Sequence, residues 1–156
     1  MSTEKWIAGS GVGLTWSDAF STATLNSIAS GNAILSDVAI ANGTALDMFA
    51  DISIALGSAA FVAPNAIGVY IYPLNKDGST YGDGRFGTAA AGPPPRNYFI
   101  DNIVLVAATQ AQTGALTGIV IPPGSFKFVL YNNAGVALVG SSGNTCQYRT
   151  YNRQVA

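Results

Sequence analysis

Short runs of alternating apolar and polar residues, each closed off by glycine or proline, most narrow what this chain can fold into. In residues 46–56, Met48, Ala50, Ile52, Ile54 and Leu56 share one face, with Asp47, Asp51 and Ser53 on the other. A period of two is that of a pleated strand with one face buried and one wet. The pattern recurs in residues 34–40, where Ile34, Ser36, Val38 and Ile40 oppose Leu35, Asp37 and Ala39. It recurs in 67–72, where Ile67, Val69 and Ile71 oppose Tyr70 and Tyr72, and in 126–131, where Phe126, Phe128 and Leu130 oppose Lys127, Val129 and Tyr131. Residues 98–108, 115–121, 136–139 and 145–151 complete a set of about eight predicted strands. Turn residues stand between them: Asn42-Gly43, Pro122-Pro-Gly124, Asn132-Asn-Ala-Gly135 and Ser141-Ser-Gly-Asn144. Eighteen glycines and seven prolines serve this punctuation. Long capped helices and repeats of fixed period are absent. The expected class is all-β, an antiparallel β-sandwich, with a closed barrel of the same strands as the alternative.

The length of 156 residues suits one domain, which buries roughly two-thirds of the surface exposed when unfolded. A core is therefore available without disulfides or metal. Residues 1–13 read as an N-terminal arm whose only large anchor is Trp6, and residues 14–156 as a single sandwich domain. Residues 14–29 fit a short helix or an irregular strand equally. Residues 73–95 lose all periodicity and hold Asn75-Lys-Asp-Gly78, Tyr81-Gly-Asp-Gly84 and Pro93-Pro-Pro95. A connection this long is expected to be functional or disordered.

Charge is scarce. Asp, Glu, Lys and Arg make up 10% of the chain, against about 25% in an average soluble domain. Seven basic and eight acidic residues leave a net charge of -1, which offers no field for nucleic acid or anionic lipid. Membrane insertion needs about 20 consecutive apolar residues, and candidates such as 100–108 are short and contain Asp101 and Asn102. The start, Met1-Ser-Thr-Glu-Lys-Trp6, lacks the form of a signal peptide. A soluble chain with so few charges relies on Ser, Thr, Asn and Gly for its surface or is covered by neighbours.

The chemistry argues against an enzyme. No histidine is present, which removes the commonest general base and metal ligand. Cys146, the single cysteine, can form no internal disulfide and reads as a small packed side chain. Asp47 and Asp51 would stand about 13 Å apart on one strand face, too far for a retaining glycosidase pair. Asp77 and Asp83 in their Gly-rich loop do not match an EF-hand and read as turn residues. No catalytic residue, cofactor site or metal site is expected. Tyr70, Tyr72, Tyr81, Phe86 and Tyr98 cluster in and around residues 73–95. They suit a protein interface or, alternatively, a platform for stacking sugars.

Five stretches stand out: Leu25-Asn-Ser-Ile-Ala-Ser-Gly-Asn-Ala-Ile-Leu-Ser36, Ile40-Ala-Asn-Gly-Thr-Ala-Leu-Asp-Met-Phe-Ala-Asp51, Tyr72-Pro-Leu-Asn-Lys-Asp-Gly78, Gly118-Ile-Val-Ile-Pro-Pro-Gly-Ser-Phe-Lys-Phe-Val-Leu130 and Tyr148-Arg-Thr-Tyr-Asn-Arg153. Together they resemble small structural proteins of tailed bacteriophages. The pattern, over roughly residues 20–153, is similar to that of head decoration, or cement, proteins. The resemblance implies a jelly-roll-like sandwich assembled in the host cytoplasm and carried on the capsid surface of the virion. It implies binding to the major capsid protein and to further copies of itself, with no nucleic-acid or membrane partner. Trp6, Tyr70, Tyr72, Tyr81, Phe86 and Pro94 are the expected interface residues. A tail or fibre component and a carbohydrate-binding sandwich are the alternatives.

Overall fold

A computed structural model describes residues 4–7, 14–26, 28–62, 66–84, 90–139 and 143–155. They form eleven strands and very little helix: β1 (Glu4–Ile7), β2 (Ser17–Phe20), a one-turn helix α1 (Thr22–Leu25), β3 (Asn32–Leu35), β4 (Ile40–Asn42), β5 (Phe49–Ala60), β6 (Ala66–Pro73), β7 (Ala90–Ala91), a 3-10 turn (Arg96–Tyr98), β8 (Phe99–Val104), β9 (Thr109–Val120), β10 (Gly124–Asn133) and β11 (Thr145–Val155). All pairings are antiparallel. The first sheet has the order β1-β11-β5-β9, with β2 also on β11. The second has the order β7-β3-β10-β6-β8, with β4 also on β10.

The alternation places the core between the sheets. Ile52, Ile54 and Leu56 of β5 and Cys146 of β11 meet Ile67, Val69 and Ile71 of β6 and Phe126, Phe128 and Leu130 of β10. Each such side chain, fully buried, contributes about 1.5–3 kcal/mol. This is an all-β sandwich.

Several expected boundaries shift. The run 34–40 splits into β3 and β4, both on the same side of β10. At the break, the Asp37 carboxylate accepts hydrogen bonds from the Ser21 N–H and Thr24 Oγ1 and so holds the start of α1. Residues 136–139 form no strand, while β1, β2 and β7 lie in stretches without sequence periodicity. In the expected arm, Glu4–Ile7 pairs with Asn152–Val155 as an edge strand. Asp47 and Asp51, expected on the wet face, are buried, and Met48, expected inward, is 56% exposed.

Three buried asparagines fasten the connections. Asn42 Nδ2 donates to the Asp47 and Pro122 carbonyls, and its Oδ1 accepts from the Asp47 N–H. Asn132 donates to the Ile28 and Val136 carbonyls and accepts from the Ala134 N–H. Asn144 donates to the Val139 carbonyl and to Asn26 Oδ1, and accepts from the Gly57 N–H. Each gathers backbone groups that have left the ladders, which buried structure requires.

Candidate functional site

The second sheet's outer face carries a small core of its own. Ala33, Leu35, Tyr70, Tyr72 and Val129 are buried there, with Tyr81, Tyr98 and Tyr131 packed against them. The tyrosine alternation on β6 thus covers a second apolar layer. Tyr72 is fully buried and its ring lies 4.7 Å from that of Tyr98; Tyr70 meets Phe99 edge-on at 5.2 Å. Part of the cover comes from residues 74–84. Leu74 bridges Tyr81, Asn75 Nδ2 donates to Thr80 Oγ1 and the Gly82 carbonyl, and Lys127 Nζ stands 5.5 Å over the Tyr81 ring. The Asp77 carboxylate accepts from the Ser79 and Thr80 N–H groups and the Thr80 hydroxyl, closing its own turn. Those bonds hold Asp77 below its ordinary value. Among the described residues no three His, Cys, Asp or Glu side chains gather as a metal site.

Beyond this cover lies a cleft of about 500 Å³, within the roughly 300–1,000 Å³ range of ligand sites. Tyr70, Phe99 and Tyr131 supply its aromatic wall, Asn102 and Asn133 its amides, and Pro93, Pro94 and Arg96 its rim. The floor follows from the register. Gly68 sits between Asn102 on β8 and Tyr131 on β10. A Cβ there would stand 3.1 Å from Tyr70 Cε2 and 3.5 Å from both Asn102 Oδ1 and Tyr131 Cβ, so glycine keeps the cleft open. Burial pushes the Tyr70 phenol above its ordinary value, with Tyr131 adding to the effect and the Arg96 charge opposing it.

The first sheet's outer face divides in two. Near β1, Trp6 is 57% exposed and packs edge-on to Phe49 and Tyr151. Beneath it the buried Asp51 carboxylate accepts from Arg149 Nε, the Tyr151 hydroxyl and the Gly118 N–H. Burial opposes ionisation of Asp51, yet these donors outweigh it and lower the carboxyl from its ordinary value. The Gly118 N–H reaches Asp51 because β9 bulges at Thr117-Gly118, where Gly118 has φ +69°. Trp16 lies over the Arg149 guanidinium at 4.7 Å. Asp47 belongs to a separate network with Thr150 and Asn152. Neither carboxylate therefore faces a shared catalytic space.

Toward the other end, the outer face of β5 and β9 carries small side chains, Ser53, Ala55, Ala111, Thr113 and Ala115, beside Gln147 of β11. Among the described residues it ends at β9, twelve residues paired on one side only and without a charge or proline. Native sheets usually blunt such an edge. Here, among the described residues, two register shifts interrupt the β5–β9 pairing, one at Thr117-Gly118 and one between Leu56 and Ala59.

Of the expected interface residues, Trp6 is exposed, Tyr81 is half-buried, Tyr70 and Tyr72 are buried, and Pro94 is buried at the cleft rim. Phe86 lies outside the described residues. Sequence reasoning missed Arg96, Asn102, Asn133 and Gly68, because strand register alone unites them. No protein-family model, curated protein or solved structure matches this chain.

Proposed function

We propose that this chain is a structural virion protein, a head decoration protein that binds the outside of a phage capsid and bridges its subunits. The observation that carries the reading is the uncharged β9 edge strand with its neighbouring face of small side chains. Such an edge is a template for another chain, by strand addition or by packing across the face. The scarcity of charge over the whole chain fits a surface covered by neighbours, the major capsid protein and further copies of this chain. Exposed Val104 and Val106 precede this edge strand in the chain and exposed Val120 ends it, adding apolar surface. Each contact need only be of ordinary interface size, since repetition around a shell multiplies the effect. Such a protein reaches the virion surface after assembly in the host cytoplasm and acts without cofactor or catalysis.

The test is co-sedimentation of the purified protein with capsids lacking it, counting bound copies per particle. Saturation at a stoichiometry matching icosahedral symmetry supports the reading, and Thr113→Lys on the edge should reduce occupancy. Absence of binding to shells, with binding to tails instead, would move the protein to a tail or fibre.

A further inference from the structure

We propose that the cleft over Gly68 is a binding site for a carboxylate-bearing saccharide. Three features of the cleft point to that chemistry. Tyr131 and Phe99 offer partly exposed rings, suited to the apolar C–H faces of a sugar. Asn102 and Asn133 each present a paired donor and acceptor, which match neighbouring hydroxyls. Among the described residues Arg96 is the only charged side chain lining the cleft, and its planar fork fits a carboxylate.

The contrast with the rest of the molecule sharpens the assignment. Asn42, Asn132 and Asn144 spend their amides on backbone groups and on Asn26. Among the described residues, the side chains of Asn102, Asn133 and Arg96 make no hydrogen bond or ion pair; the backbone N–H of Asn102 donates to the Asp101 carboxylate. The prolines at the rim and the paired strands beneath hold the site in shape before anything binds, which lowers the ordering cost of association.

Other occupants fit less well. The cleft floor is β6, paired on both sides by β8 and β10, so a peptide finds no open edge for main-chain pairing. One cation in a chain of net charge -1 is too little for a nucleic-acid backbone. The site is separate from the β9 edge, so a glycan contact would add to assembly rather than replace it.

The experiment is a screen of the full-length protein on an array of uronate-, sialate- and neutral-sugar glycans. Titration of the best hit follows, with NMR of the Tyr131 and Asn102 resonances. The expected result is saturable binding to an acidic glycan that perturbs both residues. Arg96→Gln should weaken binding about tenfold or more, the worth of a charged hydrogen bond, while thermal unfolding stays unchanged because Arg96 is exposed. Arg96→Lys should recover part of the loss. The proposal is overturned if no acidic glycan binds, if neutral glycans bind as tightly, or if Arg96→Gln binds as the parent does. It also fails if the cleft resonances respond to protein concentration alone, since a second copy would then be the occupant. Each outcome is read on the isolated protein, independent of shell binding.

Discussion

Replacing Asn132 with alanine should destabilise the domain by about 3 kcal/mol, whereas the same change at its neighbour Asn133 should cost under about 0.5 kcal/mol. Asn132 is 1% exposed and makes three hydrogen bonds, to the Ile28 and Val136 carbonyls and from the Ala134 N–H. Alanine leaves all three backbone groups without that partner, at about 1 kcal/mol each, and water has poor access to replace it. Asn133 points the other way, toward the cleft. Against a total stability of about 5–15 kcal/mol, the first loss should lower Tm by roughly 6–12 °C for a chain of this size. Urea unfolding followed by tryptophan fluorescence measures both variants, with the slope checked for constancy. Asn132→Asp separates hydrogen bonding from volume, because an ionised carboxylate still accepts from Ala134 but cannot donate to two carbonyls. Its folded-state pKa would be raised, so its stability should be best in acid and fall as pH rises. Equal losses at Asn132 and Asn133, or a loss below about 1 kcal/mol at Asn132, would refute the claim that these bonds fasten the connections.

Four further outcomes follow from the same structure. Asp51 and Asp37 titrate below their ordinary 3.8 in the fold, so they contribute stability above that value that is lost as pH falls through their lowered pKa values; acid titration of Asp51→Asn should show a shallower limb. Tyr151, raised from 10.0 by burial and then by its bond to Asp51, contributes stability that is lost as pH climbs past 10.0, visible as an alkaline decline in Tm. Burial drives the Cys146 thiol far up, with Asp18 adding to it, so a thiol reagent should label the native protein only at the rate of opening, and labelling at the speed of a free thiol would contradict the burial. Thr113→Lys should leave unfolding within about 0.5 kcal/mol of the parent while reducing self-association in sedimentation velocity, and unchanged association would take β9 out of the interface.

Much of the fold was legible because period two is a local property. The inward positions Ile52, Ile54, Ile67, Val69, Ile71, Phe126, Phe128 and Leu130 follow from alternation alone, and they build the core between the sheets. The lack of histidine and the single cysteine likewise narrowed the chemistry without coordinates. Alternation failed where a strand's second face also meets protein. It put Tyr70 and Tyr72 opposite the core, but only the packing of Tyr81, Tyr98 and Tyr131 onto that face buries them. Asp51 reads as wet from its neighbours in sequence, yet Arg149, Tyr151 and Gly118, 98, 100 and 67 residues away, enclose it. Asn42, Asn132 and Asn144 read as turn residues because their spacing shows a chain reversal and hides the distant carbonyls they hold. The cleft is the extreme case: Gly68, Arg96, Asn102, Tyr131 and Asn133 carry no shared sequence signal. Antiparallel register brings them together, and register is decided by the packing of the whole sandwich.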